Sequence, residues 1–205
     1  MGQNKKAAMF GLDARIALAI FGALSIITGA TLYSAIQNSK TTALLIEMQE
    51  VGKAWEQYYL DTAISLVSSS SEHINIENLI KNTVNSTNWK GPYITASEKS
   101  NNRIISATKY NGVDKEFSLY IGKDSTWDIY NQTCVSAEPC FIWVGVSTTL
   151  DISDVAKRID IEIDKVDNNY QGNFRWVNYS TRIGTLKFAG TTLYYKYAAI
   201  KNPHD

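Results

Sequence analysis

Residues 12–64 read LDARIALAIFGALSIITGATLYSAIQNSKTTALLIEMQEVGKAWEQYYLDTAI, and this stretch decides the fold. No proline interrupts it, and from Ile16 to Ile36 no residue carries a charge. As a helix, those residues rise about 32 Å, enough to cross a bilayer core of about 30 Å. Beyond Ile36 the composition turns polar, yet Leu44, Met48, Val51, Trp55 and Tyr58 recur at alternating spacings of four and three. That pattern continues the helix and gives it one face to bury. The stretch predicts a helical stem over 12–64, membrane-spanning over 16–36 and amphipathic after it. Gly22 and Gly29 lie in the apolar part. Each would cost about 1 kcal/mol in an exposed aqueous helix, but small residues are ordinary in membrane helices, where they let a neighbouring helix come close.

After the stem roughly 140 residues remain, the size of one ordinary domain with its own core, read as 65–205. Lys and Arg number 20 against 20 Asp and Glu, so no overall charge draws the chain to nucleic acid or to an anionic surface. Twelve Tyr, five Trp and six Phe with three Pro fit a β-rich domain whose rings pack as core.

The flanks of the apolar run set its orientation. Lys5, Lys6 and Arg15 precede it, and the first positive charge after it is Lys40, which by the positive-inside rule leaves the N-terminus in the cytoplasm and the domain outside. Cys134 and Cys140 then sit in an oxidising compartment, around a proline in CVSAEPC, and a disulfide between them is expected. Two buried thiols or half a metal site are the alternatives. No further cysteine completes a tetrahedral set, and the histidines are His73 and His204 alone.

Residues 1–11 form a short basic leader ending in Met-Phe-Gly, unlike a secretory signal, whose shorter apolar region ends at a small-residue cleavage site. A basic leader, a terminal glycine and then a long helix that opens on a membrane span resemble a type IV pilin or a type II secretion pseudopilin. The resemblance implies cleavage by a prepilin peptidase between Gly11 and Leu12, followed by methylation of the new terminus. That family usually carries Phe first and Glu fifth in the mature chain, where this sequence has Leu12 and Ile16. The family's glutamate pairs with the amino terminus of a neighbouring subunit. Here the nearest charges are Asp13 and Arg15, and either Asp13 substitutes or the subunit does without the pairing.

Ser68–Ser71 reads as a flexible connection. Ile76, Leu79, Ile80, Thr83 and Val84 form a short helical stripe with Asn75 placed to cap it. Trp89-Lys90-Gly91-Pro92-Tyr93-Ile94 forces a turn between aromatics and resembles the Trp-x-Gly-Pro-Tyr segment after the second helix of major pseudopilins. Arg103 to Ile121 reads as two strands joined by Asn111-Gly112, the pair best suited to a type I′ turn. A regular ladder from Tyr110 opposite Val113 places Lys109 by Asp114, Ser106 by Phe117 and Ile104 by Leu119. Further strands are expected at Trp127–Asn131, at Phe141–Val146 as a central strand, at Asn173–Ser180 and at Thr191–Ile200.

Asp151–Val166 reads as a helix with Ile152, Val155, Ile159, Ile163 and Val166 on one face and Asp151 as cap. Asp160 and Asp164 fall on the opposite side. With Asp167, Asn168 and Asn169 they are candidate calcium ligands, although the spacing is not that of an EF-hand and a solvated helix end is the plainer reading. The order of strand, helix ending in acidic residues and strand bearing Gly172 and Arg175 resembles the carboxy-terminal region of type IVb-like pilins, with a much smaller disulfide loop.

The expected fold class is therefore α+β, a long N-terminal helix packed on an antiparallel sheet in the ladle arrangement of pilins. No Gly-x-Ser-x-Gly, phosphate-cradling glycine loop or histidine pair at metal spacing is present, and neither an enzyme nor a cofactor is expected. Asn85, Asn131 and Asn178 fit the Asn-x-Ser/Thr sequon. No clustered basic run accompanies the aromatics to hold nucleic-acid phosphates. Two functions remain. The first is a structural subunit of a type IV pilus or secretion pseudopilus. Its partners would be copies or relatives through the N-terminal helix, with the prepilin peptidase and the inner-membrane assembly machinery, and it would pass from the inner membrane to a periplasmic or cell-surface filament. The second is an uncleaved single-pass protein whose outer domain senses or binds a ligand.

Overall fold

The structure, a computed structural model, describes residues 4–64, 73–99, 103–125, 133–183 and 186–202. The connection expected at Ser68–Ser71 and the strand expected at Trp127–Asn131 lie outside the described residues. The architecture is α+β, a long helix on an antiparallel sheet. Helix α1 spans Asn4–Thr62 and so begins before Leu12. Lys5 to Phe10 are adequate helix formers, and Gly11 alone costs about 1 kcal/mol, too little to stop a helix that has nucleated. The chain forms two compact units, Met1–Lys40 and Thr41–Asp205.

In the second unit, strands β1 (His73–Ile74), β2 (Ala96–Lys99), β3 (Arg103–Tyr110), β4 (Val113–Lys123), β5 (Cys140–Thr148), β6 (Phe174–Ile183) and β7 (Leu186–Ile200) form one sheet ordered β2-β3-β4-β5-β7-β6. Short β1 pairs with β4 beyond the end of β3. Every pairing is antiparallel. Continuous apolar β5 is central, as its sequence predicts, and β6 and β7 make a longer hairpin than the two runs expected there.

Leu44, Met48, Val51, Trp55 and Tyr58 of α1 are all buried, and they share a core with Ile104, Phe117, Leu119, Ile142, Val144, Val146 and Leu193 of the sheet. Fully burying a side chain of this kind contributes about 1.5–3 kcal/mol, which makes this part of the helix the largest single block of the core. Gly52 sets how near α1 comes to β7, because a Cβ there would lie 2.2 Å from the Tyr197 ring. Tyr197 donates to Glu56 Oε2 at 2.9 Å, and burial together with that carboxylate raises its pKa to about 12. At the end of α1, Asp61 receives Lys90 Nζ at 3.0 Å and the Tyr93 hydroxyl at 3.1 Å. Trp89 donates to Asn78 O at 2.8 Å and packs edge-on against Tyr93, with Gly91–Pro92 cis between them. The Trp89–Ile94 string thus fastens the C-terminal end of α1.

The helix expected over 76–84 is only a 3₁₀ turn, Ile76–Leu79. Asn75 caps it as expected, accepting the Glu77 N–H at 3.2 Å. Asn78 then takes the Thr83 N–H at 3.2 Å, a side-chain bond that replaces a further helical turn.

In the β3–β4 hairpin, Tyr110 pairs with Val113 and Lys109 with Asp114, as the Asn111-Gly112 turn requires. Further along the register departs from a regular ladder, and Ile104 pairs with Phe117 instead of Leu119. The irregularity lies between Ile105 and Lys109, where Ser106 Oγ accepts the Thr108 N–H at 3.2 Å and both hydroxyls turn to Glu47 of α1. The slip is two residues, so Ile104 keeps the core face. Leu119 is left to pair with Ile74.

Helix α2 spans Ser153–Asp164, shorter than Asp151–Val166. Its cap position is Ile152, while Asp151 accepts the Ser153 N–H at 3.1 Å, a bond that holds the Asp151 carboxyl below the ordinary carboxylate range. Val155, Ala156 and Ile159 are buried, but Val166 is exposed because Lys165 turns left-handed at φ 63° and takes the chain off the helical face.

Candidate functional site

The residues singled out for processing and assembly lie on α1. Gly11, Asp13 and Arg15 are exposed, and the side chain of Leu12 lies outside the described residues. A Cβ added at Gly22 or Gly29 would meet nothing within 4 Å. Leu18, Phe21 and Ile26 are each more than 70% exposed, an apolar surface that water does not favour. Three hydroxyls here turn onto the helix's own carbonyls. Ser25 donates to Phe21 O at 2.8 Å, Thr28 to Leu24 O at 2.7 Å and Thr31 to Ile27 O at 3.1 Å, which satisfies the polar groups within the helix as a lipid environment demands. Residues 13–62 include a window apolar enough to cross a membrane, none of it buried.

The acidic end of α2 is not the solvated face its helical spacing indicates. Asp160 is fully buried, with Oδ2 accepting the Asn168 N–H at 2.9 Å. The Trp176 indole N–H lies close enough to this carboxyl to act on it, but neither it nor Asp160 Oδ1 has a hydrogen bond of good geometry. Burial first, then the nearby charges of Asp164 and Asp167, raises the Asp160 pKa to about 6. Asp164 accepts the backbone N–H of Asn173 at 2.9 Å and of Phe174 at 2.8 Å, and Gly172 is required because a Cβ there would lie 2.4 Å from Oδ2. Donors therefore occupy Asp160 Oδ2 and both Asp164 oxygens, which the calcium reading would assign to a cation, while Asp167 is exposed. No group of three metal-ligating side chains occurs among the described residues. These carboxylates organise the turn from α2 into β6.

Cys134 and Cys140 form a disulfide, with Cα atoms 5.9 Å apart. The opposite sheet face carries Tyr120, Trp143 and Tyr194, all buried and so not an open stacking platform. Sequence reasoning gave Arg175 only a place in a motif. The structure buries its guanidinium over the Trp143 ring at 4.5 Å, with donations to Asp124 O at 2.6 Å and Ser125 O at 3.1 Å, and desolvation lowers its pKa to about 10.

A groove of about 460 Å³ runs between α1 and strands β2 and β3, lined by Glu50, Lys53, Gln57, Tyr93, Ile94 and Thr95 among others. At its edge Glu47 receives Lys115 Nζ at 2.5 and 2.6 Å and both β3 hydroxyls, so the cluster satisfies itself and joins α1 to the hairpin. Lys115 is almost wholly buried, and no signal in its alternating strand marks it as a partner of a stem residue.

No protein-family model matches this chain, and no curated protein or solved structure matches it either.

Proposed function

We propose that this chain is a pilin-like structural subunit, cleaved after Gly11 and assembled with copies or relatives into a type IV pilus or pseudopilus filament. The observation that carries the reading is the division of α1. From Ile16 to Ile36 its large apolar side chains are exposed and the Ser25, Thr28 and Thr31 hydroxyls donate within the helix, whereas from Thr41 its apolar face is the core of the outer domain. A subunit that must leave the bilayer and exchange lipid for neighbouring helices needs such a helix, with its membrane part free of any duty to the domain fold. The charged leader opposes that exit, since Lys5 and Lys6 hold the terminus at the cytoplasmic face. Leader, stem and the Trp89–Ile94 segment support the same reading.

Intact-mass analysis of the protein from its native membrane or from sheared surface material tests it. The mature chain should lack residues 1–11 and begin at a methylated Leu12, and Gly11→Val should trap the full-length chain in the inner membrane. Asp13→Ala should spare cleavage and weaken assembly if Asp13 serves in place of the glutamate absent at Ile16. A native protein that retains Met1–Gly11 in a cell with an active prepilin peptidase would replace this reading with the anchored ligand-binding one.

A further inference from the structure

Strands β1 and β3 share one edge of β4. Leu119 and Tyr120 pair with Val144 and Trp143 of β5 on the other edge, so the pairing of Ile74 with Leu119 and of His73 with Tyr120 lies on the β3 side. From Tyr110 opposite Val113, a regular ladder would carry Ile104 to Leu119 and Arg103 to Tyr120, whereas Ile104 lies opposite Phe117. The two places on β4 that this slip leaves are the two that β1 fills. Because the slip is even, both registers keep Ile104 on the core face. The neighbour of Leu119 is an isoleucine either way: Ile74, 1% exposed, in the structure, or Ile104 in the regular ladder.

The bulged register has identifiable holds. Ser106 Oγ and Thr108 Oγ1 donate to Glu47 of α1 at 3.1 and 2.8 Å, and Arg103 donates to Glu116 Oε2 at 3.0 Å. The two hydroxyls lie 3.2 Å from each other, and Ser106 Oγ also accepts the Thr108 N–H at 3.2 Å. A flat strand sets such residues about 6.6 Å apart and contains no such turn, so this gathering onto Glu47 belongs to the bulge. Straightening would also set the Ser106 hydroxyl opposite Phe117, a poorer core neighbour than Ile104, which keeps the bulged register resident.

We propose that β1 and the end of β3 compete for Leu119 and Tyr120, that Glu47 biases the contest by gathering the Ser106 and Thr108 hydroxyls, and that straightening β3 releases β1. Strand β1 is the first element after α1, so a shift of Glu47 with the stem is passed to the chain that leaves it. The device is independent of the filament reading, since a filament subunit or an anchored domain could carry it.

Hydrogen exchange of the full-length protein in detergent, read by mass spectrometry with electron-transfer fragmentation, tests the proposal. Ser106→Ile takes one hydroxyl from Glu47 and gives Phe117 an apolar neighbour in the regular ladder. Exchange at residues 73–74 should then speed by about tenfold or more, while Ala107 and Thr108, gaining Glu116 and Lys115 as ladder partners, should exchange more slowly. A hairpin merely loosened would speed both. Ser106→Ala/Thr108→Val adds no bulk and decides the matter if Ser106→Ile does not fold. Its loss of two bonds to a carboxylate should speed residues 73–74 by about tenfold or more and leave β5 unchanged. Exchange at 73–74 that stays the same in the folded variant would overturn the proposal. So would exchange at 107–108 that does not slow in Ser106→Ile, or an equal change in β5 in the second variant.

Discussion

Helix α1 places two kinds of apolar surface on one continuous backbone. In residues 13–40, Leu18 is 71% and Ile26 74% exposed, and glycines have open space around them. In residues 41–62, Met48 and Val51 are fully buried, and Gly52 is pressed against a tyrosine ring. The same residue types and the same helical geometry therefore carry opposite obligations. Beyond Lys40 the sequence is answerable to a sheet it must fit. From Ile16 to Ile36 the large apolar side chains are exposed, a surface for the environment or a partner to cover.

Mutations on the sheet-facing part should give the largest effects. Trp55→Ala should destabilise the domain by about 3–5 kcal/mol in denaturant titrations of detergent-solubilised protein, through the cavity it leaves. Glu47→Ala should cost a similar amount, about 3–5 kcal/mol, because it strands the buried Lys115 ammonium. Paired replacement of both by methionine should restore most of that loss. If Trp55→Ala melts like wild type, the two parts of the helix do not differ as described.

Glycines sharpen the contrast at smaller magnitude. Gly52→Ala forces α1 away from Tyr197 and should cost about 1–3 kcal/mol, partly recovered by Tyr197→Ala. Gly22→Ala and Gly29→Ala should leave the melting of the domain unchanged. A bulkier Gly22→Leu should also leave the domain folded yet reduce filament incorporation, which recovery in sheared surface material measures.

A subtler effect lies in pH. The folded pKa of Asp160, about 6, exceeds the ordinary 3.8, so the folded domain holds this proton more tightly than the unfolded chain does. The stabilisation is full below about pH 4 and is lost as pH rises through 6. Between pH 5 and 7.5 this group should remove about 1 kcal/mol, and Asp160→Asn should abolish that slope. Glu116 and Asp151, whose values are lowered, respond below this window and do not mask it.

What could be read from the sequence was whatever depends on a repeat or a turn. The 3,4 spacing located Leu44 to Tyr58 on the core face, and Asn111-Gly112 fixed the pairs beside it. What escaped depends on residues far apart in the chain. The slip between Ile105 and Lys109 coincides with the bonds from the β3 hydroxyls to Glu47, a long-range contact that local patterning cannot show. Asp160 sits among charges on α2 and reads as solvated until the turn through Asn168 closes over it. The Gly52–Tyr197 contact is likewise invisible, since a glycine in a helix signals only lost propensity.

The division of α1 is tested most directly by truncation at its two boundaries. A chain beginning at Thr41 should be soluble without detergent and melt at the temperature of the full-length domain, because the buried core cluster begins at Leu44. A chain beginning at Ala63 should not fold. A Thr41–Asp205 fragment that melts well below the full-length protein, or a fragment from Ala63 that folds, would contradict the account.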